Sequence, residues 1–201
     1  MAAVPTSCAL PTTFAIALPD WVAAWQADLP DCFPAQSARV DLAIELSRMN
    51  VEQGSGGPFG AALFDRADHR LVAVGVNLVV TSHCSLAHAE MVALSMAQAA
   101  LGCFDLAQAS DAGFELVSSC EPCAMCAGAI PWSGVNRLVS AACDADARAI
   151  GFDEGAKPTD WQAALRARGI AVASGLQRAA AVAVLRDYAA RQGAIYNGGA
   201  V

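Results

Sequence analysis

Two short stretches, LAHAEMVAL over residues 86–94 and SSCEPCAMCAG over residues 118–128, decide how this sequence folds and what it can bind. In the second stretch Cys123 and Cys126 stand three residues apart, so both thiols lie on one face of a helix's first turn. Pro122 fits the first helical position, because its missing N–H would have no partner there in any case. The positive end of the helix dipole favours thiolates, and the thiolate is the form that binds zinc.

A third candidate ligand, His88, comes from the first stretch, at the start of an apolar helical pattern over 87–100. Three protein ligands leave one tetrahedral position open for water, which is typical of a catalytic zinc site rather than a structural one. Zinc lowers the pKa of such a water towards about 7. Glu90 is too close in sequence to be an easy fourth ligand, so we expect it to reach that water and carry protons.

Two other residues compete for the ligand positions. The chain has eight cysteines, and in a chain of this size without a secretory signal they favour metal binding and buried free thiols over disulfides. Cys120 forms an evenly spaced triple with Cys123 and Cys126, but it precedes the proline at the end of a strand, so we expect its thiol to point elsewhere. His83 is a weaker alternative to His88, because no glutamate follows it two residues later.

The composition restricts the class of protein. The 201 residues are 56% hydrophobic, enough for one domain with a sizeable core, and the net charge is -7, with Lys157 as the only lysine. Proteins that grip nucleic acid neutralise phosphates with basic runs, which this chain lacks, so we expect no nucleic-acid partner. We find no uninterrupted apolar run of about 18 residues and no basic signal-like start, and we therefore expect a cytoplasmic, soluble protein without a membrane partner.

Helical and strand patterns alternate along the chain. Residues 1–34 form an irregular arm with one short helix over 20–27, and a single domain follows over 35–201. Within it we predict helices over 35–53, 87–100, 161–168 and 179–192 and from Pro122 onward, and strands over 61–64, 71–76, 114–118, 138–141 and 170–173. The first two strands form an antiparallel hairpin. This order predicts an α/β fold in which helices cover both faces of a mixed sheet.

Several further segments accompany the metal-binding pair, which matches the pattern H-x-E…P-C-x-x-C. They are Gly57-Pro58-Phe59-Gly60, Asn77 after the second strand, Ser119-Cys120-Glu121 before Pro122, and Ile150-Gly151-Phe152-Asp153-Glu154. With these segments the sequence, from about residue 39 to residue 197, resembles the cytidine deaminase-like zinc deaminase superfamily and, within it, the small bacterial guanine deaminases. The acidic segment that ends at Glu154 is the most discriminating of them.

The resemblance implies a fold and an assembly. We expect a three-layer α/β/α sandwich around a mixed five-stranded sheet, one Zn²⁺ per chain held by His88, Cys123 and Cys126, and a homodimer. In guanine deaminases of this type the C-terminal segment of one subunit can cover the partner's site. Here the chain continues past Tyr196 with small residues, so the covering role stays open.

The resemblance also implies roles for individual residues. Glu90 carries protons, Asn77 hydrogen-bonds the base, Phe59 and Phe152 flank its ring, and Ala89 contacts the substrate. Glu154 holds the N1–H and 2-amino edge of guanine and assists catalysis. From the residues alone, Asn77 could instead be a turn residue, the two phenylalanines ordinary core residues and Glu154 a solvated loop carboxylate.

These observations predict hydrolysis of guanine to xanthine and ammonia, with guanine-like triazines such as ammeline as further substrates. The alternatives are deamination of another small base (cytosine or a pterin), deamination of a tRNA adenosine, and a non-catalytic zinc protein. A tRNA enzyme favours a basic final helix, whereas this chain is acidic. A structural zinc site needs a fourth donor, and the sequence has no second C-x-x-C to supply it.

Overall fold

The computed structural model describes residues 12–198. The strands are β1 (Gly60–Asp65), β2 (Leu71–Val76), β3 (Phe114–Cys120), β4 (Arg137–Ala142) and β5 (Ala171–Ala173). The α-helices are α1 (Asp20–Gln26), α2 (Gln36–Glu52), α3 (Ala89–Leu101), α4 (Ala124–Ser133), α5 (Asp144–Ala149), α6 (Trp161–Ala167) and α7 (Arg178–Ala190). The strands form one sheet in the order β2-β1-β3-β4-β5. The predicted five-stranded sheet is therefore confirmed.

The sheet is mixed and is covered on both faces. Strand β1 pairs antiparallel with β2 and β3, whereas β3, β4 and β5 run parallel. Side chains alternate along β1: Ala62 and Phe64 enter the core under α2 and α7, while Ala61 and Leu63 enter the core under α3, α4 and α6. Burial on both faces explains why these strands are continuously apolar in the sequence, and it confirms the three-layer α/β/α sandwich.

The N-terminal arm contains one helix. Residues 12–19 have no regular structure, and α1 follows them within the predicted range 20–27. Val22 is 1% exposed and belongs to the same buried cluster as residues of α2 and α7, with Trp21 and Trp25 packed against it. The part of the predicted arm over 1–11 lies outside the described residues.

Two elements differ from the sequence-based expectation: α4 begins at another residue, and α5 is an additional helix. Helix α4 begins at Ala124 with Cys123 as its N-cap, so Pro122 precedes the cap and does not occupy the first helical position. Its fixed φ directs the chain into the cap instead. Helix α5 was not predicted at all, because its six residues alternate acidic, small and basic side chains without an apolar period.

One stretch has the length and composition of a membrane span, contrary to our reading of the sequence. Residues Ala89–Gln108 reach a mean hydropathy of 1.2. The sequence-based prediction rests on uninterrupted apolar runs, and Glu90 and Gln98 interrupt the apolar stretch over 89–108. Helix α3 itself ends at Gly102, whose φ of 63° is left-handed, and it packs along β2 and β1. We therefore describe α3 as a core helix of this fold.

Candidate metal centre

The predicted metal ligands meet at one edge of the sheet. Strands β2 and β3 both end at this edge, with the start of β1 between them, and helices α3 and α4 both begin there. His88 is the N-cap of α3 and Cys123 is the N-cap of α4. His88 Nδ1 lies 3.5 Å from Cys123 Sγ and 3.6 Å from Cys126 Sγ. Among the described residues these three form a cluster whose ligand atoms all lie within 4.8 Å of one another.

The spacing of this donor set fits zinc. A tetrahedral zinc with Zn–N bonds of about 2.0 Å and Zn–S bonds of about 2.3 Å holds its nitrogen and sulfur ligands about 3.5 Å apart. The observed separations of 3.5 and 3.6 Å between His88 Nδ1 and the two thiols agree with that value. With three protein ligands, a fourth coordination position remains for water or substrate.

The charges of the two thiols also favour a bound cation. Hydrogen bonding to Cys126, with a further contribution from His88 and against the effect of burial, lowers the pKa of Cys123 to about 4. Hydrogen bonding to Cys123 and burial raise the pKa of Cys126 well above its ordinary value. Two adjacent thiolates repel each other, so both ionise only when a cation neutralises them. Zinc provides that charge, and the zinc cofactor is confirmed.

Glu90 lies beside the cluster on the first turn of α3. It is 6% exposed, and the Cys126 thiol donates a hydrogen bond to Glu90 Oε2 at 3.6 Å. Burial and then the negative charge of Cys123 raise the pKa of this carboxyl above its ordinary value. A carboxyl with a raised pKa binds a proton more readily than a solvated one, which suits the predicted proton carrier.

A cavity of about 400 Å³ opens over the cluster. It is lined by Phe59, Asn77, Val79, Ser85, His88, Glu90, Glu121, Cys123, Ala124, Met125, Phe152, Asp153, Glu154, Gly155, Tyr196, Asn197 and Gly198. The lining combines apolar side chains with a small number of polar groups, as is usual for small-molecule sites. Most of the predicted site residues therefore border one space.

The aromatic lining corrects one expectation. The rings of Phe59 and Phe152 lie 5.0 Å apart between centroids, edge to face at 68°. The Tyr196 ring lies 5.0 Å from that of Phe152 and 6.2 Å from that of His88. Because Phe59 and Phe152 contact each other, no base fits between them, and they form one wall of the cavity rather than two flanking sides.

Asn77 offers a free donor to this cavity. The residue is 1% exposed, and its Oδ1 accepts a hydrogen bond from the Val79 N–H at 3.3 Å. Its Nδ2 is buried and has no hydrogen-bond partner among residues 12–198. A buried donor needs an acceptor, so Asn77, which lines the cavity, is a candidate to donate to a bound molecule.

Glu154 brings a second buried carboxyl to the same cavity. Its backbone carbonyl accepts a hydrogen bond from the Ala124 N–H at 2.9 Å, which ties the loop after α5 to the start of α4. The residue is 6% exposed, so it is not a solvated loop carboxylate. Burial, followed by the negative charges of Cys123 and Glu90, raises the pKa of Glu154 to about 8.

Several residues named in the sequence analysis do not line the cavity, among them the metal-cluster residue Cys126, which is fully buried. The side chain of Ala89 packs in the core under α3, so a contact of this residue with substrate stays a prediction. Cys120 is buried, and its thiol donates to the Cys143 carbonyl at 3.7 Å rather than joining the cluster. His83 is exposed and is not part of the cluster.

The structure also places residues in the cavity whose part in it the sequence did not predict. Tyr196 and Asn197 line the cavity of their own chain. Asn197 Nδ2 donates to the Gly151 carbonyl at 2.9 Å, and Asn197 Oδ1 accepts from the Asp153 N–H at 2.8 Å. The C-terminal segment up to residue 198 thus covers the cavity of its own chain. No spacing pattern in the sequence indicates these contacts, since they join positions 44 to 46 residues apart.

Comparison with known proteins gives concordant matches. The family described as the cytidine and deoxycytidylate deaminase zinc-binding region matches residues 35–142. The guanine deaminase of Bacillus subtilis is 40% identical over 112 residues, which is 56% of this chain and 67% of that protein. A tRNA-specific adenosine deaminase of the same organism is 37% identical over 102 residues, 51% of this chain and 58% of that protein.

Solved structures resemble the chain over most of its length. The guanine deaminase from Nitrosomonas europaea has a TM-score of 0.84 at 46% identity, covering 90% of this chain and 98% of that chain. A structure solved in complex with 2,6-diaminopurine has a TM-score of 0.84 at 49% identity, covering 91% of this chain and 96% of that chain.

Proposed function

Because this chain belongs to the cytidine and deoxycytidylate deaminase zinc-binding family, we propose that it hydrolyses guanine to xanthine and ammonia at a single zinc centre. The family match and the similarity to guanine deaminases confirm the resemblance drawn from the sequence. One observation carries the proposal: the buried Glu154 lines the same cavity as His88 and Cys123, two members of the metal cluster. The family accounts for the zinc and for hydrolytic deamination, and Glu154 accounts for the choice of base.

The reaction joins the oxygen of water to C2 of guanine and breaks the bond between C2 and the exocyclic nitrogen. Zinc, when bound by His88, Cys123 and Cys126, acts as a Lewis acid that makes water nucleophilic near neutral pH. Glu90 takes up the proton that water loses and passes it to ring N3. The hydroxyl then attached to C2 loses its proton as the C2 carbonyl forms, and this proton reaches the amine, which departs as ammonia. Glu154, whose pKa is raised to about 8, can relay that proton.

The polar groups of the cavity support recognition of guanine. Guanine presents its N1–H and 2-amino donors side by side, and these two donors would favour the ionised form of Glu154, which accepts from both in charge-assisted hydrogen bonds. The free Nδ2 of Asn77 donates to an acceptor of the base. Adenine has an acceptor at N1, which would face the carboxylate and leave buried groups unsatisfied. A triazine that carries an N–H beside an amine presents the same donor pair, so ammeline-like rings are secondary substrates of the proposed enzyme.

The charge of the chain argues against an RNA substrate. The net charge is -7, and the arginines at the two ends of α7 are paired: Arg178 pairs with Asp146 at 2.7 Å, and Arg191, the C-cap, pairs with Asp187 at 2.6 Å. Binding of an RNA loop depends on uncompensated basic side chains that contact phosphates. We therefore propose a free base as the substrate.

We also propose that the protein is a homodimer. Trp132 on α4 is 81% exposed, beside a groove lined by Pro131, Trp161 and Leu165. Exposed apolar surface of this kind marks protein contacts more often than open solvent surface.

Ammonia release from guanine, ammeline, adenine, adenosine and cytosine tests the function. We expect turnover of guanine and ammeline and little of the other three, with discrimination of up to about 10⁴ because rejection rests on unpaired buried polar groups. Glu154→Gln should lose most guanine turnover, since an amide presents a donor to one of guanine's donors. Glu45→Gln, the same change at the half-exposed partner of Arg48, is the matched control. Efficient adenosine or cytosine turnover, or a Glu154→Gln enzyme equal to wild type, would contradict the proposal.

A further inference from the structure

We propose that Asn50, on α2, is a positioning residue for the base-binding side of the cavity. We further propose that Trp21 in the N-terminal arm holds Asn50 in place through Ser55. The inference assigns a role to the arm, and its kinetic part rests on the proposed function. Asn50 does not line the cavity, and it acts through Asn77 and the turn over residues 57–59.

The Asn50 side chain joins two backbone segments that border the cavity. It is completely buried, at 0% exposed, and its Nδ2 donates to the Gly57 carbonyl at 2.8 Å and to the Asn77 carbonyl at 2.9 Å. The Asn77 N–H in turn donates to the Phe59 carbonyl at 3.0 Å. A single amide therefore fixes the spacing between the turn that carries Phe59 and the residue that carries the free donor.

These segments are held in very close approach. A Cβ added at Gly56 would stand 1.8 Å from the Asn77 carbonyl oxygen and 2.8 Å from Asn50 Nδ2. Only glycine fits there, so the turn packs backbone to backbone against Asn77. The Asn77 side chain has one protein hydrogen bond, to the Val79 N–H, and its position therefore depends mainly on where this backbone lies.

The other end of the Asn50 amide is held from the N-terminal arm. Asn50 Oδ1 accepts from the Ser55 hydroxyl at 2.7 Å, and that hydroxyl accepts from Trp21 Nε1 at 3.0 Å. Every hydrogen-bonding atom of the Asn50 side chain thus has a partner. Aspartate has no N–H to donate to two carbonyls, so the position requires an amide. The arm reaches the cavity through Trp21, Ser55, Asn50 and Asn77 in that order.

Two variants break this connection without creating a buried charge. Ser55→Ala removes the hydroxyl in its middle, and Trp21→Phe replaces the indole at its far end by a smaller ring that has no N–H to donate. Trp25→Phe is the matched control, because Trp25 lies on the same helix and stacks edge to face with Trp21 at 6.3 Å. All three proteins should retain zinc and remain folded, which metal analysis and circular dichroism check.

Two measurements test the connection. Hydrogen exchange without substrate should be faster at residues 55–60 and 76–80 in Ser55→Ala and Trp21→Phe than in wild type or Trp25→Phe. In the same two variants KM for guanine should rise by about five-fold, the effect of one neutral hydrogen bond, while kcat changes less than about two-fold. In an Asn77→Ala background the rise in KM should disappear, because the effect passes through Asn77.

Unchanged exchange in Ser55→Ala and Trp21→Phe would overturn the proposal, as would equal effects in Trp25→Phe. A rise in KM that persists in the Asn77→Ala background would also overturn it, because the effect would then bypass Asn77. A wild-type protein inactive on guanine would instead contradict the proposed function. The exchange measurement needs no substrate, so it decides the positioning role in either case.

Discussion

At the scale of single residues, substitution of a cysteine of the metal cluster and of the third cysteine near it should have different effects on zinc content. Cys123→Ala removes one of three zinc ligands, so we expect the variant to lose most of its zinc. Cys120→Ala should keep its zinc, because the Cys120 thiol bonds the Cys143 carbonyl outside the cluster. Elemental analysis of both purified variants measures this directly, and zinc loss in Cys120→Ala with retention in Cys123→Ala would reverse the assignment.

The proton-carrying role of Glu90 makes a second prediction at this scale. Glu90→Gln preserves the shape of the side chain but cannot exchange a proton, so turnover of guanine should fall by about 10² or more. Zinc content and the thermal unfolding midpoint should stay close to wild type, because glutamine keeps the size and shape of the buried side chain and Glu90 is not one of the three ligands. Steady-state kinetics next to metal analysis distinguish the two effects. Near-normal turnover would show that Glu90 is structural.

The residues of the metal centre could be predicted from the sequence, because their spacing follows from helix geometry and zinc chemistry. The residues that hold and cover the cavity could not. Asn50 reaches Asn77 across 27 positions, and Trp21 reaches Ser55 across 34. Such contacts depend on how distant segments pack, for which no local periodicity exists. The contact between the rings of Phe59 and Phe152 could not be predicted from the sequence for the same reason.

At the scale of elements, the loop between α5 and α6 depends on one buried lysine. The Lys157 side chain is 6% exposed, and its Nζ lies 2.8 Å from Asp144 Oδ1 and donates to the Pro122 carbonyl at 2.9 Å. Lys157 therefore links the loop that carries Glu154 to the segment before α4. Lys157→Met should destabilise the protein by about 1–3 kcal/mol, the range for leaving buried acceptors unpaired, and should raise KM for guanine.

The control for that prediction is an arginine whose acidic partner, Asp146, lies on α5 as Asp144 does. Arg178→Met removes an ion pair with Asp146 at a solvent-exposed arginine, which should change the stability little and leave KM unchanged. Lys157→Arg should recover part of the loss, because it restores the positive charge. Urea unfolding and guanine kinetics on the three variants measure both effects. Equal stability losses for Lys157→Met and Arg178→Met would contradict the role given to Lys157.

Elements differed in how well their sequences predicted them. Strands β1 to β4 are buried on both faces, so they stand out as apolar runs between turn signals. Helix α5 is short and polar, and although Asp146 caps its start and Arg148 pairs with Asp144, it has no apolar period that would indicate a helix in the sequence. The sequence alone does not locate the start of α4, because proline is as compatible with the position before an N-cap as with the first helical turn.

At the scale of the whole molecule, an exposed tryptophan predicts association. Trp132 is 81% exposed on α4, the helix whose first turn carries the zinc ligands. Burying such a side chain contributes about 1.5–3 kcal/mol, and a two-fold axis would use it twice. We therefore expect light scattering at micromolar concentration to give twice the chain mass of 20.6 kDa.

Substitution at this surface tests whether it forms the dimer interface. Trp132→Glu should shift the mass to that of a monomer, because two carboxylates would face each other across the axis in place of two indoles. Phe14→Glu is the control, since Phe14 is 67% exposed on the N-terminal arm and not on α4. It should leave the dimer intact. A monomeric wild type would contradict the dimer itself, whereas a dimeric Trp132→Glu protein would place the interface on another face and leave Trp132 unexplained.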